Sequence, residues 1–281
     1  MSVRAAFDAV PRHAFVPDLV WIRRDDGWAV PLRREDDPEG WWALVRSEDA
    51  VTTQIDDGAT TRGVWPTSSC SAPRVVREML ELLDLRPGHR VLEIGTGTGW
   101  NAALMAQITG AENVTTVEID PAVAGSARRN LTGFGCAVQV IEGDGEAGYP
   151  ANAPYDRLIA TAAVAELPYA WVEQTRPGGV ILAPWAPTFH PDGPLALLTV
   201  DEEGRASGRF VAPSWFMPLR GQRIPQAERN ALKRRWADAG SPGIGLFGIS
   251  VTREGQSIIR LDSAGGPVRP PSRGVRGRGC G

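Results

Sequence analysis

The sequence predicts an α/β fold, a Rossmann-like, doubly wound and mostly parallel sheet with an antiparallel edge hairpin, on three observations. Between residues 90 and 183 short apolar runs, at 90–94, 114–119, 138–141, 157–161 and 180–183, alternate with helical patterns at 102–108, 122–131 and 167–174. Strands alternating with helices imply right-handed crossovers and a parallel sheet covered on both faces. The first run, VLEI, passes straight into Gly95-Thr96-Gly97-Thr98-Gly99-Trp100, a glycine turn that ends a strand and opens a helix. After Pro184 the alternation stops: LALLTV, the turn DEEG and an extended stretch over 210–219 read as a hairpin added at one edge.

Taken in order, residues 1–65 carry charge clusters and five of the ten tryptophans, at 21, 28, 41, 42 and 65, too much large apolar surface for a linker. We read this stretch as a substrate-side region whose rings serve burial first, with peptide docking as the other use. In PRVVREMLELLDL, residues Val75, Val76, Met79, Leu80 and Leu83 recur at helical spacing, and Arg86-Pro87-Gly88 ends that helix. Residues 66–220 form the core domain. Residues 221–264 form an α+β extension, with AERNALKRRWADAG a short helix and GLFGISV and SIIRLD paired around TREG. Residues 265–281, rich in Arg, Gly and Pro, are expected to be disordered.

Composition narrows the function. A net charge of -3 excludes a basic nucleic-acid surface over the whole chain, because phosphate contacts need clustered Lys and Arg. Arg269, Arg273, Arg276 and Arg278 read as a solvated tail. No run approaches the roughly 18 apolar residues of a membrane-spanning helix, and the N-terminus lacks a signal architecture, so a cytoplasmic protein is expected. Cys70, Cys136 and Cys280 are odd in number and far apart, which provides neither a disulfide framework nor a zinc site, and no metal is expected.

The glycine loop selects among cofactors. A dinucleotide fingerprint starting at Gly95 requires a small residue at position 100, which is tryptophan, and no Gly-Lys-Ser/Thr follows to make a phosphate-binding Walker loop. The pattern that fits is ExGxGxG. Glu93 stands at the end of the first strand, Glu118 in TVEID closes the second and can accept from both ribose hydroxyls, and Asp144 in GDG follows the third, where it can meet an adenine amino group. Three such stations at successive strand ends describe the S-adenosylmethionine site of a class I methyltransferase.

The chain also resembles the protein-L-isoaspartate O-methyltransferases over about residues 9–220. The resemblance rests on AVPRHAFVPD, SCSAPRVVREMLELLDLRPGHRVLEIGTGTGWNAALMA, GDGEAGYPANAPYDRLIATAAVAELPYAW, RPGGVILAPW and WFMPLRG. It implies that Glu93, Gly95, Thr96, Gly97, Gly99, Glu118, Asp144, Gly145 and Thr161 fall on cofactor positions. It also implies that Ser71, with Ser69 two residues earlier, lies over the methyl group and helps hold an acceptor carboxylate of a peptide or protein bearing aspartate or isoaspartate. Two departures stand out: WPTSSCSAP replaces the usual Gly-x-Gly-Gln-Thr approach after a longer Trp-rich insert, and the chain runs about 60 residues past the usual end of the repair enzymes. Both are similar to a divergent branch found with ribosomally made peptide products such as graspetides, lasso peptides and lanthipeptides. That branch implies methylation of an ordinary L-aspartate in a cyclised peptide, the ester closing to an aspartimide; the alternative is repair of L-isoaspartyl residues.

The chemistry implied needs no general base, because an acceptor carboxylate with a pKa of about 4 is already anionic near neutrality. Hydroxyl donors that hold one oxygen suffice. His13, His89 and His190 accordingly receive no role. On the residues alone Ser71 reads first as a helix cap before Ala-Pro. A nucleophile is the weakest reading, since no GxSxG elbow is present. Cys70 reads as a small buried residue.

Overall fold

The computed structural model describes residues 1–186 and 193–261; His190, Cys280 and the arginine-rich tail lie outside them. Helix α1 (Val3–Ala9) leads into a small antiparallel sheet made of β1 (Leu19–Arg23), β2 (Ala29–Arg33), β3 (Val51–Ile55) and β4 (Pro66–Cys70), in the order β2-β1-β3-β4. Helix α2 (Pro38–Arg46), capped by Asp37 and started by Pro38, lies between β2 and β3 in the chain. Residue 65 therefore falls just before the strand that completes the sheet, and the serines of WPTSSC belong to β4.

The remaining strands form one nine-stranded sheet. Helix α3 (Pro73–Leu83) buries Val76, Met79, Leu80 and Leu83 and ends at Asp84, whose φ of 46° is left-handed. Then come β5 (Val91–Ile94), α4 (Trp100–Thr109), β6 (Val114–Glu118), α5 (Pro121–Gly133), β7 (Gln139–Glu142), β8 (Tyr155–Ala160), α6 (Tyr169–Glu173) and β9 (Thr175–Pro184). The five strands pair in parallel in the order β9-β8-β5-β6-β7, so the chain reverses direction across the sheet at β5. In an open α/β sheet that reversal leaves a crevice at the carboxyl ends of the strands.

Four antiparallel strands extend the other side: β10 (Pro194–Val200), β11 (Ala206–Pro213), then, after helix α7 (Gln226–Asp238), β12 (Phe247–Thr252) and β13 (Gly255–Arg260). The C-terminal hairpin thus continues the central sheet. The fold class read from the sequence stands, with boundary corrections that have plain causes. Helix α6 starts at Tyr169 because Pro168, with extended backbone, is its N-cap. Strand β11 stops at Pro213 instead of running to 219, and Pro218 bridges instead to Ala163, three residues beyond β8.

The core lies on both faces of the sheet. Trp100, Met105, Leu80 and Phe15 belong to the cluster on one side, and Trp171, Tyr155, Trp185 and Phe210 to the other. Helix α4 is buried nearly all round because α1 covers it: the Phe7 and Trp100 rings meet edge-on at 5.4 Å, and Trp100 Nε1 donates to the Val10 carbonyl at 3.1 Å. That bond explains how a tryptophan fits where a dinucleotide fold needs a small residue. Of the N-terminal tryptophans, Trp21 and Trp41 are buried, whereas Trp28 and Trp65 are exposed. Among the described residues no helix is long and apolar enough to cross a membrane.

Candidate active site

The carboxyl ends of β5, β6 and β8 and the edge strand β4 line one open cavity. Ten of the sequence-predicted residues line it: Ser69, Ser71, Glu93, Gly95, Thr96, Gly97, Glu118, Asp144, Gly145 and Thr161. Gly99 does not. It is the N-cap of α4 with a φ of +87°, and a Cβ there would sit 3.1 Å from Leu131 Cγ.

Glycine is required where the loop turns. Gly95 (φ +94°) and Gly97 (φ +54°) are left-handed, a conformation that disfavours other L-residues. At Gly95 a Cβ would approach Thr161 Oγ1 to 2.8 Å, displacing the hydroxyl that donates to the Gly95 carbonyl. At Gly97 it would lie 3.3 Å from the Ser69 carbonyl, so the glycine loop and β4 touch. Gly145 has a different reason: a Cβ would fall 2.4 Å from Ile94 Cγ2.

Two buried acids set the electrostatics. Glu93 is fully buried; Oε1 accepts from Asn101 Nδ2 at 2.7 Å and Oε2 from Thr116 Oγ1 at 2.6 Å. The Thr96 hydroxyl stands 2.7 Å from that of Thr116 and continues the chain of bonds. Burial outweighs these donors and pushes the Glu93 carboxyl up to about 7. Glu118, also buried, accepts from the Gly97 N–H at 3.0 Å and the Asp120 N–H at 3.1 Å, and burial again raises its pKa. Each of its oxygens keeps a lone pair for a further donor. Asp144 is exposed and accepts from the Glu146 N–H at 3.0 Å. Ile119, 38% exposed, adds an apolar wall next to Glu118.

Opposite stand Thr67, Ser68, Ser69 and Ser71. Ser71 does not cap α3: the N-cap is Ala72, which makes no side-chain cap bond, and helix α3 starts on Pro73. The loop is held instead by Arg12, a buried guanidinium donating to the carbonyls of Val45, Ser47, Asp49, Cys70 and Ser71 at 2.6–3.3 Å. Cys70 is buried and its thiol is pushed up by desolvation, which disfavours a nucleophile. Among the described residues no histidine lines the cavity and no group of three His, Cys, Asp or Glu could hold a metal. Sequence reasoning missed Arg12, Asn101, Thr116, Arg220 and Arg223. Arg12 and Arg220 lie inside the motifs PRHAF and MPLRG, which signalled resemblance but no role; Arg223 had no signal.

A glycine loop with two further acids at the ends of parallel strands, all on one cavity, is the architecture of an S-adenosylmethionine-dependent methyltransferase. The residues fit that cofactor: the loop admits close backbone approach, and Glu118 offers acceptors to a diol. Comparison with known proteins makes this specific, and the chain belongs to the protein-L-isoaspartate(D-aspartate) O-methyltransferase family, whose model matches residues 55–223. Protein-L-isoaspartate O-methyltransferase 2 of Archaeoglobus fulgidus is 40% identical over 223 residues, 79% of this chain and 86% of that one. The protein-L-isoaspartate O-methyltransferase of Hyperthermus butylicus is 40% identical over 162 residues, 54% of this chain and 66% of the relative. Among solved structures, a protein-L-isoaspartate O-methyltransferase superposes with a TM-score of 0.64 at 20% identity, covering 91% of this chain and 93% of that one. A Plasmodium falciparum structure described as a protein-L-isoaspartate O-methyltransferase in complex with S-adenosyl-L-homocysteine gives 0.57 at 15% identity, covering 78% and 89%. At those identities the superpositions speak for the fold.

Proposed function

We propose that the chain methylates the free α-carboxylate of an L-isoaspartyl residue in a peptide or protein, the acceptor its relatives are named for. The observation that carries the reading is one cavity lined on one side by the glycine loop, Glu118 and Asp144 and on the other by Thr67, Ser69 and Ser71. Gly95, Thr96, Gly97, Gly145 and Thr161 shape the cofactor's bed. Glu118 accepts from its ribose, Asp144 from its adenine edge, and Glu93 positions the bed through Asn101 and Thr116. When bound, S-adenosylmethionine supplies an electrophilic methyl group on a sulfonium sulfur. Ser71 and Ser69 donate to one oxygen of the acceptor and leave the other free to attack, which is catalysis by alignment and partial desolvation with no proton to move.

A second reading has its own observation. The approach to Ser71 is a sheet strand, β4, paired to β3 and flanked by the exposed Trp65 in place of the family's glycine-rich segment, so the acceptor side is rebuilt. This supports an ordinary L-aspartate in a cyclised ribosomal peptide, its methyl ester closing to an aspartimide and opening to isoaspartate. Incubation with S-adenosylmethionine and matched linear isoaspartyl and constrained L-aspartyl peptides separates the two by mass. Gain of one CH₂ on the isoaspartyl peptide alone establishes repair. Gain on the constrained aspartyl peptide, followed by loss of methanol, establishes the second reading, and no gain on either defeats both.

A further inference from the structure

The polar groups at the mouth that sequence reasoning missed form one connected bridge. The turn after β3 holds Asp56 and Asp57 in left-handed backbone (φ 44° and 54°), pinned by Asp56 carboxylate bonds to the N–H groups of Val64 and Trp65. Asp57 meets Arg223 through two parallel bonds, Nη1 to Oδ2 at 2.7 Å and Nη2 to Oδ1 at 2.8 Å. Its Oδ1 also lies 3.1 Å from Arg220 Nη2, which in turn reaches Asp120 Oδ2 at 3.0 Å. Gln54 Nε2 donates to the same Asp120 oxygen at 3.1 Å, and its Oε1 accepts from the Thr67 hydroxyl at 2.8 Å.

The bridge therefore ties the N-terminal sheet and the 220–223 segment to Asp120, whose N–H in turn holds Glu118. Thr67 on one side and Arg220 and Arg223 on the other line the cavity, whereas Asp57 lines none of it and only joins the two. Arg223 pairs in the fork-to-fork geometry that makes Arg–carboxylate contacts both strong and directional. The arrangement is suited to holding the mouth together through a residue, Asp57, that is itself off the cavity's surface.

We propose that Asp57 is a positioning residue that retains the cofactor: its pairing with Arg223 and Arg220 straps the N-terminal sheet to the 220–223 segment, and cofactor leaves only when the strap opens. The inference rests on the cofactor reading above. The strap's side chains are 32–41% exposed, so the pairing is weakened by salt and its worth is modest.

The test is the rate at which radiolabelled S-adenosylhomocysteine leaves the protein under an unlabelled chase, with the melting temperature recorded for each variant. Asp57→Asn and Arg223→Gln are expected to release it several-fold to about tenfold faster. Arg223→Lys, which keeps the charge but not the paired geometry, should fall between. In the unsubstituted protein release should quicken with added potassium chloride, and in Asp57→Asn that sensitivity should be lost. Release unchanged in folded variants, or an equal salt response, overturns the strap. If the unsubstituted protein does not bind S-adenosylhomocysteine at all, the cofactor reading itself fails.

Discussion

On the sheet side of the cavity, two of the three acids are buried and held by neighbours in the same crossover: Glu93 by Asn101 and Thr116, Glu118 by Gly97 and Asp120. On the serine side, β4 is an edge strand, half exposed, and its shape depends on Arg12, which collects carbonyls from 33 to 59 positions away. One wall is set by a repeating local motif, the other by assembly of distant pieces. The contrast suggests that the sheet-side wall, proposed to hold the cofactor, tolerates little change of any kind, while the serine wall can be rebuilt as long as its anchor survives.

The largest expected effect tests that anchor. Arg12→Ala leaves five carbonyls without their shared donor and should lower the unfolding free energy by about 3 kcal/mol or more, measured by urea denaturation. A loss no greater than that of an ordinary surface arginine would erase the contrast. On the opposite wall, Gly95→Ala combines left-handed strain with a clash against Thr161 and should weaken S-adenosylhomocysteine binding by about 100-fold in calorimetry. Binding within a few-fold of the original would mean the loop adapts.

Ser71→Ala comes next. Because Ala72 is the N-cap of α3, turnover should fall about 10- to 100-fold while cofactor affinity and melting temperature stay nearly unchanged. A matching fall in melting temperature would return Ser71 to a structural role.

The smallest effect concerns Glu93, whose folded pKa of about 7 lies above its ordinary 4.5. Between those values the folded chain holds a proton that the unfolded chain has released. The group's contribution to stability is thus greatest below about pH 4.5 and declines as pH rises to about 7. Glu93→Gln cannot ionise, so the stability difference between it and the unsubstituted protein should shift toward the variant over this window. Parallel curves would show that Glu93 is charged throughout.

What the sequence by itself determined is the parallel half of the fold and the residues that gather on the wall proposed to hold the cofactor. Alternating apolar runs, the spacing of GTGTG and the acids at strand ends are local signals, and a β-strand feeding a helix has few ways to turn. The family resemblance added Ser69 and Ser71. The tertiary structure alone decided that WPTSSC is a strand, that Ser71 does not cap the helix after it, and that the C-terminal hairpin joins the central sheet. It alone gave Arg12, Arg220 and Arg223 partners. Those outcomes depend on which distant donors and acceptors burial brings within hydrogen-bond reach, a property of the packed chain that no spacing along it encodes.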